Sequence, residues 1–510
     1  MSSQAHSQAH PTPIRSNPKR RRRLRVDDVQ IVDTTMLKRA LRGTIVGNTM
    51  EWYDVGVYGY LAVTMGAVFL PEAAASVQVL FSLGVFAATY IARPLGGIVF
   101  GRLGDRIGRQ RVLATTLIMM ASATFIVGLI PSYSAIGPAA PVILVVMKLL
   151  QGFSTGGEYA GVTTFVSEYA PDRRRGFFGG FLDLGSYLGF AFGALIVSIM
   201  QLTMGNDAML AYGWRIPFLL AGPIGATAVY FRLKIEESPA FRAMNEAVET
   251  VAAEGGAAKE AAPKTGLLAI LRTQWKPLLI AIVLVATANT VGYALTSYMP
   301  TYLTDTLGYD ATHGTLLTIP VLVVMSACIP LAGLLSDRIG RRPTVWIGAA
   351  TMGVFAVPAF ALLSIGAVWS TLVGLFLMAI PTALLVGTLA SALPALYPTS
   401  MRYGSMGISY NIAVAVFGGT APVFIEAIMQ ATGDSMTPAY YLIGFAVVGA
   451  AAAFGLRESA KRPLPGSMPA VTSEAEAAEL VATQEENELI DLDQLPFGPI
   501  SVKTDARLSA

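Results

Sequence analysis

About twelve stretches of this chain are each long and apolar enough to cross a lipid bilayer, and no other feature restricts its fold so severely. A helix needs roughly 20 apolar residues to span the hydrocarbon core. Candidate spans run near 44–70, 78–101, 110–130, 141–169, 175–201, 213–233, 276–302, 313–335, 343–366, 369–393, 402–430 and 437–456. Composition agrees: 54% of the 510 residues are hydrophobic and only 14% are charged, where soluble domains carry about a quarter charged residues. The expected class is an all-α membrane protein.

The distribution of charge orients it. Candidate loops at 102–111, 172–175, 232–242, 264–276 and 336–342 are rich in Arg and Lys, whereas those near 71–78, 131–140, 202–212, 303–312, 367–368 and 431–436 contain neither. Basic loops stay in the cytoplasm, so both termini are expected there. The basic run Lys19–Arg23 has no apolar core directly behind it and reads as an orientation signal, not a signal peptide or a nucleic-acid patch. The single cysteine, Cys328, excludes a disulfide framework and a thiolate metal site. No phosphate-cradling loop and no metal-ligand cluster occurs, which argues against an enzyme and against ATP drive.

The chain divides into five parts: a basic segment at 1–43, six spans at 44–233, a polar linker at 234–275, six spans at 276–456 and an acidic tail at 457–510. One basic loop recurs at the same place in each half. Gly101-x-x-x-Asp105-Arg106-x-Gly108-Arg109 matches Gly333-x-x-x-Asp337-Arg338-x-Gly340-Arg341. Glycines let a short loop reverse two helices, and the aspartate can cap a helix or pair with an arginine. A repeat at equal topological position implies two pseudo-symmetric six-helix halves, the plan of many secondary transporters. These loops are the expected gates.

The stretch Gly47–Gly59, "GNTMEWYDVGVYG", places Asn48, Glu51, Asp54 and Tyr58 within about 120° of one another on a helix. A carboxylate inside a membrane is costly and by default faces a cavity or a partner and serves function. Asp54, Arg93, Glu158 and Asp183 come from four spans and all lie roughly 12–16 Å from the basic ends of their helices. One arginine among several carboxylates near the midplane marks a centre where transporters bind cargo. Movement of Asp54 or Glu51 relative to Arg93 would load and release a proton. The histidines, His6, His10 and His313, lie outside the deep parts of the spans, which leaves carboxylates to carry a side-chain relay. The alternative reading is that Asp54–Arg93 is a static ion pair holding helices together.

Glu158 follows Gly156-Gly157, where close helix approach would press it on a neighbour. Lys148 is placed toward the outer end of its span, where it either joins the coupling or snorkels. Proton coupling is thus assigned to Glu51, Asp54, Glu158, Asp183 and Lys148. Cargo binding is assigned to Asn48, Trp52, Tyr58, Arg93 and Tyr159 in the first half and Asn289, Tyr293, Tyr410 and Asn411 in the second. From the residues alone the cargo is a small polar or charged solute.

The repeated loop, with "RPLGGIVFGRLGDRIGRQ", "QGFSTGGEYAG", "SEYAPDRRRGFFGG", "GWRIPF" and "SDRIGRRP", resembles the major facilitator superfamily and, within it, the metabolite:proton symporters. The resemblance covers nearly the whole span region. It implies twelve helices in the major facilitator fold, no cofactor, a proton gradient as driving force and alternating access. The implied protein works as a monomer in a bacterial inner membrane among lipids. Its implied cargo is a zwitterionic osmoprotectant of the proline and glycine betaine type. The alternatives are an organic-acid symporter, a passive facilitator and a transporter-like sensor. Osmosensory members can end in a coiled coil; here "EENELIDLDQL" offers barely a turn or two and sustained heptads are absent.

Overall fold

The computed structural model describes residues 23–107, 109–233, 267–491 and 495. Among these, nine helices are long and apolar enough to cross a membrane. Three more complete twelve spans. The first span, Thr34–Tyr60 continued by Ala62–Phe69, carries the buried carboxylates that lower its apolarity. The third, Arg109–Leu129, has its apolar part in Ala114–Leu129, and the sixth is Arg215–Leu233. The other spans match their expected positions, with ends a few residues longer.

Several spans are broken where polar residues cluster. Span two divides at Ala92 into Ala75–Ile91 and Arg93–Ile107, and span four at Gly156–Gly157 into Ala139–Thr155 and Glu158–Tyr169. Span seven widens to π-helix over Ala294–Tyr298 and again over Tyr302–Thr306, and span eleven over Val414–Gly418. Such bulges interrupt the ordinary backbone ladder and occur often at functional sites.

Small residues bring the helices together. A Cβ added at Gly152 would stand 1.6 Å from the carbonyl oxygen of Thr89, and one at Gly96 1.8 Å from that of Phe153. Spans two and four therefore touch backbone to backbone, the glycine-mediated approach expected at Glu158. Span five, Arg175–Ala208, runs beside span eight, Ala311–Ile339, along the seam between halves. There Gly176 and Gly333 meet through their backbones.

The tail differs from its expected form. A short strand at Ala470–Val471 pairs in parallel with Gln30–Ile31, and a helix covers Glu474–Ala482. Ser473 caps that helix by accepting from Glu476 N–H, while the Glu476 carboxylate accepts from Thr472 N–H. Gln484 brackets Leu24 from both sides, accepting its N–H at 2.7 Å and donating to its carbonyl at 3.2 Å. The stretch "EENELIDLDQL" adds no further helix within the described residues, and 492–494 and 496–510 lie outside them. Of the linker, 234–266 also lies outside them.

Candidate functional site

The polar stripe of span one is real, but its members face different neighbours. Glu51, one turn before Asp54, accepts from Arg93 Nη2 at 2.8 Å with both side chains buried. The guanidinium also lies 4.9 Å from the Tyr90 ring centre and 5.7 Å from that of Trp52. Arg93 is therefore enclosed by Glu51 and aromatic faces. Of the two carboxylates expected to act against Arg93, Glu51 is the one that holds it, and a static Asp54–Arg93 pair is not formed: the two carboxylates share a face, and the height of Arg93 on span two selects Glu51.

Asp54 instead points toward spans three and four. Thr124 Oγ1 and Gln151 Nε2 both donate to its Oδ2. Lys148, one turn before Gln151, adds an attractive charge. Lys148 does not snorkel: it is 2% exposed and its ammonium stands 4.3 Å from the centre of the Tyr58 ring. Thus Asp54, Lys148, Gln151, Thr124 and Tyr58 form one buried polar cluster inside the first half.

A separate cavity lies on the seam between the halves. Trp52, Tyr159, Asp183, Ser186, Tyr187 and Phe190 line it from the first half, and Asn289, Tyr293, Thr296 and Tyr410 from the second, with apolar residues between. The cavity is small in this arrangement, about 30 Å³. Tyr159 and Tyr410 stack at 3.8 Å and 9° across the seam, and Trp52 meets Tyr293 at 6.1 Å. Asp183 is the one charged lining residue among those described.

Of the expected cargo residues, Trp52, Tyr159, Asn289, Tyr293 and Tyr410 line this cavity; Asn48, Tyr58, Arg93 and Asn411 are not among its lining residues. Asn48 donates to the Leu182 carbonyl at 2.8 Å and to Ser186 Oγ at 2.7 Å, tying span one to span five. The Tyr58 hydroxyl donates to the Ser82 carbonyl at 3.2 Å. Asn411 donates to the Gly156 carbonyl at 2.5 Å and bridges the halves. Glu158 is buried in the first turn after the break in span four. Asn289 donates to the Val285 carbonyl at 3.0 Å while facing the cavity.

The seam is closed at the end that carries the basic loops. Asp337 accepts from the N–H groups of Gly176 at 2.9 Å and Phe177 at 2.8 Å, capping span five from the opposite half. It also holds Arg341 Nη2 at 2.5 Å. Gly340, at φ 109°, joins spans eight and nine in a conformation that favours glycine. Arg338 is exposed and outside this lock. In the first loop Gly101, Asp105, Arg106 and Arg109 lie in helix ends, and Gly108 lies outside the described residues. The halves also touch at the other end, where Gly59 faces Ser297.

Sequence reasoning missed a second repeat. Arg175 donates Nε to the Ser167 carbonyl at 3.1 Å, and Arg402 donates Nε to that of Pro394 at 3.1 Å, each reaching eight residues back. Both then donate to the tail, Arg175 to the Arg462 carbonyl at 2.9 Å and Arg402 to that of Pro465 at 2.8 Å. Arg402 also pairs with Glu168 of the first half at 2.8 Å. The available signal was an arginine four residues after a loop proline, Pro171 and Pro398. Thr124 and Gln151 carried no comparable signal.

Two six-helix halves around a closed central cavity define a membrane transporter of the major facilitator fold. The sugar (and other) transporter family matches residues 43–466, and the chain belongs to it. It is 48% identical over 492 residues to the ectoine/proline transporter ProP of Corynebacterium glutamicum, covering 95% of this chain and 97% of that one. It is 42% identical over 460 residues to the proline/betaine transporter of Escherichia coli, covering 90% and 91%. A solved structure of the proton:xylose symporter XylE superposes with a TM-score of 0.67 at 18% identity, covering 84% of this chain and 98% of that one. The chain is thus a transporter, not an enzyme.

Proposed function

We propose that this transporter imports small zwitterions of the proline, betaine and ectoine type, driven by a proton gradient and needing no cofactor. The observation that carries the reading is the cavity: aromatic walls and one carboxylate, Asp183, suit a compact cargo with a positively charged nitrogen. Relatives named for such solutes support it across nearly the whole chain. An organic-acid cargo is disfavoured, because the cavity offers an anion of its own and Arg93 is engaged by Glu51.

In this reading the proton belongs to Asp54. Protonation removes its attraction to Lys148 and loosens span one from spans three and four. Trp52 sits on the same turn and rests against Tyr293 of the second half, so a shift of span one reaches the seam. The Asp337 cap would part when the molecule opens at its basic end. In this reading that end and both termini face the cytoplasm of a bacterial inner membrane, which the positive loops support. A monomer surrounded by lipid contains every part required, and nothing in the reading calls for nucleic acid.

The test is uptake of labelled glycine betaine and proline into proteoliposomes with and without an inward proton gradient. Gradient-driven accumulation is expected. Equilibration indifferent to the gradient would make the protein a facilitator, and absence of uptake would return the question to other cargo classes.

A further inference from the structure

Besides the Tyr293 hydroxyl, two buried polar atoms on the cavity walls have no hydrogen-bond partner among the described residues, and they are of opposite kind. Asp183 is 5% exposed; Tyr159 hydrogen-bonds to it, yet its Oδ2 has no partner. Trp52 is also 5% exposed, and its Nε1–H has no acceptor. Burying a polar atom without a partner is costly, and most native groups avoid it. Here one orphan is an anionic acceptor and the other a donor only.

We propose that these two atoms are the two poles of the cargo subsite: Asp183 Oδ2 receives the positively charged nitrogen of a zwitterion, and Trp52 Nε1–H donates to its carboxylate. The proposal rests on the zwitterion reading and deepens it. Between the poles the cargo nitrogen meets the faces of Tyr159, Tyr187, Tyr293 and Tyr410, all lining residues. Arg93 does not line this cavity, and its Nη2 is held by Glu51 at 2.8 Å. The single indole donor takes that place, so recognition of the carboxylate does not compete with the buried ion pair. Proton site and cargo site are then different carboxylates, Asp54 and Asp183.

The proposal also sets specificity. A quaternary nitrogen has no N–H to give and relies on charge and aromatic faces. A secondary ammonium such as that of proline donates directly to Asp183. A cation lacking a carboxylate leaves Trp52 unpaired, and an anion lacking the ammonium meets Asp183 as a like charge.

The experiment is calorimetric binding of glycine betaine, proline and choline to the purified full chain, beside exchange of labelled betaine across proteoliposomes without a gradient. Asp183→Asn is expected to weaken both zwitterions on the order of 10- to 100-fold and to lose exchange. Trp52→Phe is expected to weaken the zwitterions about 10-fold and choline far less. Unchanged zwitterion binding in Asp183→Asn overturns the proposal. So does a variant that still exchanges betaine but no longer accumulates it, since that places Asp183 on the proton path. If Asp183→Asn does not fold, Asp183→Glu decides: a changed ratio of proline to betaine affinity supports the subsite, and an unchanged ratio overturns it. Failure of the unmodified chain to bind any zwitterion would overturn the functional reading itself, a different result from failure of the variants alone.

Discussion

The two halves share a fold and divide the chemistry. At mid-depth the first half buries Glu51, Asp54, Arg93, Lys148, Glu158 and Asp183. The second faces them with neutral groups, Asn289, Tyr293, Tyr410 and Asn411; its buried Asp337, Arg341 and Arg402 sit at the basic end, and its buried Glu426 lies toward the other end, accepting from the Tyr298 hydroxyl at 3.0 Å. Its spans seven and eleven are π-helical where they meet the charged half, while the first half's only described π segment is Met209–Gly213. Duplication thus supplied two similar bodies. One holds most of the buried titratable groups, and the other presents mostly neutral side chains to them.

The comparison can be broken at its most rigid place. Gly152→Leu would drive spans two and four apart, because even a Cβ there stands 1.6 Å from a backbone oxygen. Loss of monodisperse protein in size-exclusion chromatography is expected. Gly444→Leu, where nothing lies within 4 Å of an added Cβ, should leave the elution profile intact. Normal assembly of the Gly152 variant would show that the packing of the charged half is softer than described.

A smaller effect sharpens the role of the ion pair. Glu51→Gln leaves Arg93 buried without its counter-charge and should cost about 3–5 kcal/mol, read as a lowered unfolding temperature in detergent. Adding Arg93→Met should recover most of the loss. An unshifted transition in the single variant would mean that water or another group already compensates Arg93.

The lock at the basic end carries less. Asp337→Ala removes a helix cap and should cost about 1–2 kcal/mol of the closed arrangement. Ala390, buried against Gly179 across the seam, reports it. In an Ala390→Cys, Cys328→Ser background, a water-soluble thiol reagent should label faster once Asp337 is replaced. Equal labelling would show that the cap does not bias opening.

Much of this was legible in the sequence, for physical reasons. Length and apolarity fix spans, and the loop repeat fixes two halves, because both are local properties. The face of a helix is also local, so Asn48, Glu51, Asp54 and Tyr58 were grouped correctly. Which neighbour each meets depends on relative height and rotation between helices. That is why the stripe leaves Glu51 and Asp54 both open as the partner of Arg93, which Glu51 holds, and why Lys148 reads as near a membrane surface although it lies over Tyr58. The tail helix has a local signal, Ser473 three residues before Glu476, but at 9 residues it is too short to show a heptad pattern. The tail's attachment to Arg175 and Arg402 depends on pairs separated by 287 and 63 residues and left no trace in any single window.

The central claim is that the proton and the cargo use different buried carboxylates of the same half. Asp54→Asn tests it most directly, in proteoliposomes loaded and assayed two ways. Exchange of labelled glycine betaine at zero gradient should persist, because the cavity around Asp183 is untouched, while accumulation driven by an inward proton gradient should vanish. Loss of exchange together with accumulation, or accumulation equal to that of the unmodified chain, would contradict the separation.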